Sequence, residues 1–270
     1  MIRAIGRDAE RGFSLRLSDT DVGETLAEIC EAAAAVILPL WRSGLTVHSK
    51  SDESPVTEAD RRGEALILER LAAAFPGVPV VSEEDASEFG TPDEIGPVFF
   101  LVDPLDGTKA FVRGDPNFTV NIGLIEDGRP VAGAVNAPPT GETWFTRGGQ
   151  TWKRINGGVA QPVRVRTWDA GDALGLISHT ATDEQIRHLT DAYGFARTEA
   201  MDSSIKLCRI AEGAADIYPR HGPTMEWDIA AAHAVLLGAG GRLATPEGEA
   251  FVYGKADKGF RNGWFVARGG

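Results

Sequence analysis

A mixed α/β fold in two parts is what this sequence predicts, and three observations carry it. Apolar residues recur at helical spacing near the N-terminus, short runs rich in Val, Ile and Phe then end at Gly, Pro or acidic turns, and beyond residue 172 strand-like and helix-like segments alternate. Residues 1–17 read as a lead-in, 18–165 as an N-terminal α+β lobe and 166–270 as a C-terminal α/β lobe. The boundary is set by the change of pattern near residues 160–172.

The first helix begins at Ser18-Asp19-Thr20-Asp21, after which Leu26, Ile29, Cys30, Ala33, Ile37 and Leu40 recur at helical spacing up to Trp41. A polar segment, residues 48–60, leads into a second helix carrying Ala59, Leu66, Ile67 and Leu71, stopped by Phe75-Pro76-Gly77. Thr57 and Asp60 have the spacing of a capping box at its start. Val78 to Val81 is a short strand whose end, Ser82-Glu83-Glu84-Asp85, reads as an acidic turn. Pro97 to Val102 is a buried strand, followed by Asp103-Pro104-Leu105-Asp106, where the proline is expected to bar regular structure. Gly107-Thr108 opens the next element.

Phe118 to Ile125 and Pro130 to Ala137 form a hairpin turned at Asp127-Gly128, and Glu142 to Thr146 with an Asn156-Gly157 turn extends it as a meander. In the C-terminal part, strands are expected at Ala173 to Ser178 and Asp216 to Tyr218, with short ones near Arg242 to Ala244 and Trp264 to Val266. Helices are expected from Asp183 to Tyr193, Ser203 to Glu212 and Asp228 to Leu237.

Composition narrows the function. With 43% hydrophobic and 24% charged residues, the 270-residue chain is globular and long enough to bury a substantial core. A net charge of −12 argues against a nucleic-acid polymer or an anionic membrane as partner, since both need clustered Lys and Arg. A small phosphate can still be held locally by cations and backbone N–H groups. No signal-peptide core and no run of about 18 apolar residues occurs, so a cytoplasmic protein is expected, without integral membrane association and at most peripheral at the inner face. Cys30 and Cys208 share no motif spacing and read as buried thiols.

The chemistry concentrates in residues 101–109. A strand end that brings Asp103, the Leu105 carbonyl and Asp106 to one point is rich in the oxygen ligands that Mg²⁺ prefers. Glu83 ends a second strand, so one sheet edge would gather Glu83, Asp103 and Asp106.

Four ordered blocks, Thr57-Glu58-Ala59-Asp60, Ser82-Glu83-Glu84, Asp103-Pro104-Leu105-Asp106-Gly107-Thr108 and Glu226-Trp227-Asp228-Ile229-Ala230-Ala231, resemble the inositol monophosphatase superfamily of lithium-sensitive, Mg²⁺-dependent phosphatases. The resemblance runs from about residue 20 to the end and implies a layered αβαβα sandwich, shared with the fructose-1,6-bisphosphatases, with the site between two lobes. Lys109, the strand from Phe118 to Ile122 and the block from Ser203 to Asp228 are similar to those of the superfamily's 3'(2'),5'-bisphosphate nucleotidases, although Ala110 stands where that group has Glu. Such enzymes convert adenosine 3',5'-bisphosphate to AMP and phosphate. An inositol, sugar or histidinol phosphate phosphatase is the alternative within the superfamily, and a non-catalytic nucleotide- or metal-binding regulator is the alternative outside it.

By this resemblance Glu83, Asp103, the Leu105 carbonyl, Asp106 and Asp228 would hold two or three Mg²⁺ ions, with Asp228 also suited to the positive end of the helix it starts. Gly107 and Thr108 would offer backbone N–H groups to a phosphate that also touches Leu105, Asp106 and Asp228. A Thr108 hydroxyl bonded to Asp60 would orient and help deprotonate the attacking water, with Glu83 sharing the task. His179, Ser203, Lys206 and Arg220 align with nucleotide contacts, the two cations serving the non-reacting phosphate. Without the resemblance these four read as a strand-end histidine, a helix cap and two surface charges. The expected partner is a small phosphorylated molecule, and the expected assembly a monomer or homodimer.

Overall fold

The helical pattern near the N-terminus becomes α1 (Asp19–Ser43) and α2 (Glu58–Ala74), which pack together and bury Leu26, Cys30, Ala33, Ile37, Ile67 and Leu71. The computed structural model describes residues 19–43, 48–49, 55–56, 58–168 and 171–270, so the expected lead-in and Thr57 of the expected capping box lie outside it. Between the two helices β1 (His48–Ser49) and β2 (Pro55–Val56) pair antiparallel.

Seven strands form the first sheet in chain order: β3 (Val80–Ser82), β4 (Val98–Asp106), β5 (Thr119–Glu126), β6 (Arg129–Ala137), β7 (Glu142–Arg147), β8 (Gln150–Ile155) and β9 (Gln161–Val163). Only β3 and β4 run parallel. Asp127 and Gly128 both adopt positive φ, 48° and 74°, the backbone twist that suits a two-residue hairpin turn. β8 and β9 carry too few apolar residues to declare themselves in the sequence.

The second sheet orders β11 (Arg197–Ala200), β10 (Leu174–Ile177), β12 (Ile217–Arg220), β14 (Phe265–Arg268) and β13 (Arg242–Ala244) side by side. β11 was not expected, because its four residues are all exposed and show no apolar alternation. Helices α6 (Ile205–Ala211) and α7 (Ala230–Gly238) lie between the sheets. On the far side of the second sheet, α5 (Asp183–Tyr193) opens with a Thr182–Gln185 capping box and packs through Leu189 near Phe195 and Ile217. The layers therefore run helix, sheet, helix, sheet, helix. Both cysteines are free and buried, and among the described residues no helix is long and apolar enough to cross a membrane.

Small residues let α7 sit close. Its Ala230 and Ala231 rest on Gly123 of β5 and Gly133 of β6, where a Cβ would come within 2.8 Å of the Ala231 nitrogen and 2.5 Å of its carbonyl oxygen respectively.

A charge network fastens the first sheet to α6. Arg209 bonds Glu142 at 2.7 and 3.0 Å and Glu212 at 2.6 Å, while Lys153 reaches the same two acids at 2.6 and 2.7 Å. Burial pushes Glu142 up, but the hydrogen bonds from Arg209 and Lys153 outweigh it and hold the carboxyl at about 2. Its folded value lies below the unfolded one of about 4.3, so the stability it contributes is present above that pH and is lost as pH falls towards 2. Glu142→Gln is expected to lower stability at neutral pH by about 2 kcal/mol. In thermal melts the gap to wild type should close as pH falls from about 5 to 2.

Candidate active site

Pro104 does not end β4. Asp103 pairs with Asn121 and Asp106 with Thr119, so three steps along β4 match two along β5, and the proline sits in the resulting irregularity, where its missing N–H costs the ladder nothing. The Asp103 carboxylate accepts the Leu105 N–H at 2.9 Å, a local turn bond across the proline. Asp103 is thereby buried and Asp106 is delivered to a cleft at the strand end.

The acids after β3 form no solvated turn. Glu83 begins α3 (Glu83–Phe89), whose first turn also holds Glu84 and Asp85, an arrangement favoured by the positive helix end. Ser82 makes no side-chain cap there, and Oε1 of the buried Glu64 on α2 instead accepts the N–H groups of Glu84 and Asp85 at 3.1 and 3.3 Å.

Gly107 precedes α4 (Thr108–Arg113) at φ +93°, and a Cβ there would lie 2.9 Å from the Asn117 carbonyl and 3.3 Å from the Ser203 Cβ, so only glycine fits. Ser203 itself has φ +55° and is no helix cap, because α6 starts two residues later. Ser204 does the joining. Its N–H binds the Asp106 carboxylate and its hydroxyl donates to Asn121 Oδ1 at 2.7 Å, with the Thr119 hydroxyl 2.8 Å away. Asp228 also departs from expectation: α7 begins at Ala230, and the Asp228 carboxylate accepts the Met225 N–H at 2.8 Å, closing the preceding turn rather than capping the helix.

These elements enclose a cleft of about 370 Å³. Glu83, Asp106, Gly107 and Thr108 line it together with Ser203, Lys206, Arg220 and Asp228. Burial pushes Glu83, Asp103 and Asp106 above the usual carboxylate range. Mutual repulsion adds to it, since Glu83 feels Asp228, Asp60 and Asp106, and Asp103 feels Glu83, Asp106 and Asp228. Asp228 rises to about 7 through burial and the charge of Asp106. Four carboxyl groups that suppress one another's ionisation can all be charged only with cations among them, and an all-oxygen donor set fits Mg²⁺.

Lys206 is no surface charge. It is 3% exposed, donates to the Met201 and Ser203 carbonyls at 3.0 and 2.7 Å, lies 4.9 Å from the Tyr218 ring centre and is lowered by burial to about 8. Arg220 donates to the Pro223 carbonyl at 3.2 Å and also lines the cleft.

Two expectations are corrected. The Thr108 hydroxyl donates to the Leu105 carbonyl at 3.1 Å, and having one proton it does not also donate to Asp60, because a threonine at a helix start finds the carbonyl three residues back before any distant partner. Asp60 is nonetheless buried within reach of Glu83, whose acidity it weakens. His179 is exposed and lies outside the cleft lining, its ring within 4.8 Å of the Asp115 and Asp202 carboxylates. Ser204, Glu64, Tyr218 and Asp202 escaped the sequence reading. For Ser204 a signal existed, because Thr119 and Asn121 place two polar residues on one face of an apolar strand.

Comparison with known proteins agrees with this geometry. The sequence matches the inositol monophosphatase family over residues 19–264. It is 41% identical over 204 residues to the 3'(2'),5'-bisphosphate nucleotidase CysQ of Salmonella typhimurium, spanning 76% of this chain and 81% of that protein. It is 34% identical over 220 residues to the histidinol-phosphatase of Mycobacterium tuberculosis, spanning 78% and 81%. Among solved structures, CysQ from Bacteroides thetaiotaomicron, a bacterial member of the inositol monophosphatase family, superposes with a TM-score of 0.73 at 30% identity, covering 91% of this chain and 96% of that one. The chain belongs to the inositol monophosphatase family.

Proposed function

We propose that this chain is a Mg²⁺-dependent 3'(2'),5'-bisphosphate nucleotidase that hydrolyses adenosine 3',5'-bisphosphate to AMP and phosphate, with the cleft between lobes 18–165 and 166–270. The observation that carries this is the meeting, in one cleft, of self-repelling carboxylates with the cations Lys206 and Arg220. The first set suits metal-assisted phosphoryl transfer and the second a further phosphate that the reaction leaves in place. The names of the relatives from Salmonella and Bacteroides support it.

Glu83, Asp103, the Leu105 carbonyl, Asp106 and Asp228 would hold two or three ions. When bound, Mg²⁺ supplies positive charge for the phosphate oxygens and acidifies the attacking water. Gly107 and Thr108 turn their N–H groups to the reacting phosphate, and Ser203, packed against Gly107, closes that cradle. Asp60 and Glu83, neighbours in one acidic group, accept the proton of the water. The water oxygen bonds to phosphorus as the bond to the ribose 3' oxygen breaks, and that oxygen takes a proton from solvent water to become a hydroxyl of AMP, while the carboxylates return theirs to solvent. Lys206 and Arg220 hold the other phosphate.

A phosphate-release panel tests this. With Mg²⁺, kcat/KM for adenosine 3',5'-bisphosphate is expected to exceed that for inositol 1-phosphate and histidinol phosphate. Efficient histidinol phosphate hydrolysis without bisphosphate hydrolysis would move the protein to the second reading, which the Mycobacterium relative keeps in view. Arg220→Ala should raise KM for the bisphosphate about tenfold, the worth of one charge-assisted hydrogen bond, with kcat nearly unchanged and no KM effect on a monophosphate.

A further inference from the structure

We propose that Glu64 is a positioning residue that aims Glu83 at the metal cluster by holding the first turn of α3. The inference rests on the proposed role of Glu83 as a metal ligand. Four observations on neighbouring elements carry it.

Glu64 is 7% exposed, and its carboxylate is turned to backbone amides rather than to the cleft. Its Oε1 accepts two backbone N–H groups at once, from Glu84 at 3.1 Å and Asp85 at 3.3 Å, the two residues directly after Glu83. A charged acceptor on two amides is stronger than a neutral one.

The helix so held is short and mostly exposed. It is seven residues long, its Ala86 packs against the core, and Ser82, which stands at the capping position in extended backbone, supplies no side-chain cap. Three acids already crowd its first turn, and bringing a fourth carboxylate there costs electrostatic energy that an uncharged cap would avoid. Placement accounts for Glu64 better than helix stability does.

The same turn of α2 also sets the other groups of the site. Asp60 lies four residues before Glu64, so both carboxylates occupy one helix face, with Asp60 acting on Glu83 and Glu64 on the amides behind it. Gly63, between them, brings α2 against the strand that carries the acids: a Cβ there would lie 2.8 Å from Ile37 Cδ1 and 3.6 Å from the Pro104 Cβ. One turn of helix thus fixes the spacing of Asp60, Glu83 and the Asp103–Asp106 segment. Groups that orient a ligating carboxylate commonly govern metal affinity by 10–100-fold.

The test is Mg²⁺ titration by calorimetry on the substrate-free protein, together with amide exchange at Glu84 and Asp85. Glu64→Ala should weaken Mg²⁺ binding at least about tenfold, with activity recovering at saturating Mg²⁺, whereas Glu64→Gln, which keeps an acceptor oxygen, should stay within about threefold of wild type. Both amides should exchange slowly in wild type even without Mg²⁺ and quickly in Glu64→Ala. Wild-type Mg²⁺ affinity in Glu64→Ala, a Glu64→Gln protein as weak as Glu64→Ala, or fast exchange of both amides in wild type would each overturn the proposal. If Glu64→Ala does not fold, the wild-type exchange and the comparison of Glu64→Gln with wild type decide, and a tenfold loss in Glu64→Gln overturns it. A wild-type protein that binds no Mg²⁺ would instead sink the assignment of Glu83 as a ligand, while the exchange data still judge the cap.

Discussion

Asp106→Asn is expected to lower Mg²⁺-dependent phosphate release by on the order of 10³-fold, about 4 kcal/mol of barrier, with the fold intact. The asparagine keeps an oxygen for the Ser204 N–H but loses the charge that would bind the ions. Without metal the substitution should not destabilise the protein. Burial, opposed in part by Lys206 and Ser204, leaves the Asp106 carboxyl above its usual range, so its ionisation works against folding. A carboxyl raised in the folded state stabilises at low pH, and that contribution disappears as pH rises through the folded value. With chelator present, wild type should therefore melt higher as pH falls from about 8 to 5, a window that contains the Asp228 value of about 7. Asp106→Asn should show a flatter profile and an equal or higher melting temperature at pH 8. Unchanged turnover would refute the assignment.

Gly133→Ala is expected to cost about 3 kcal/mol, at the upper end for a single added methyl, because the new Cβ would lie 2.5 Å from the Ala231 carbonyl oxygen and 2.9 Å from its Cα, which are backbone atoms with no rotamer to change. Relief requires α7 to move away from the sheet. The turn before α7 carries Asp228, so the same substitution should weaken Mg²⁺ binding although it lies in a strand interior and touches no polar group. Denaturant unfolding and Mg²⁺ titration on one preparation check both effects. A stable variant with weakened binding, or a destabilised one with normal binding, would break the predicted link between packing at Gly133 and placement of Asp228.

The readable parts of this chain were those whose physics is local. Helical periodicity marked α1 and the Asp127-Gly128 turn marked the hairpin, because each depends on residues a few positions apart. β8, β9 and β11 were missed where pairing with a neighbour, not apolar pattern, makes the strand. Proline at 104 looked like a breaker, and the strand absorbed it because the register shift removes the need for its N–H. The acids 83–85 looked like a turn, but they open α3, and two of their amides are bonded by a carboxylate about twenty residues upstream that local pattern does not reveal.

For the site, the sequence by itself determined the inventory: the oxygen-rich segment from Asp103 to Asp106, the glycine at 107 and the ordered acidic blocks that mark the family. Only the tertiary structure decided how those groups stand to one another. It buried Lys206, turned the Thr108 hydroxyl to Leu105, left His179 outside the cleft and placed Glu64 behind Glu83. The physical reason is that residue type fixes what a group can donate, accept or ionise. Whether it does so depends on the burial and charge of neighbours that the chain brings from far along its length.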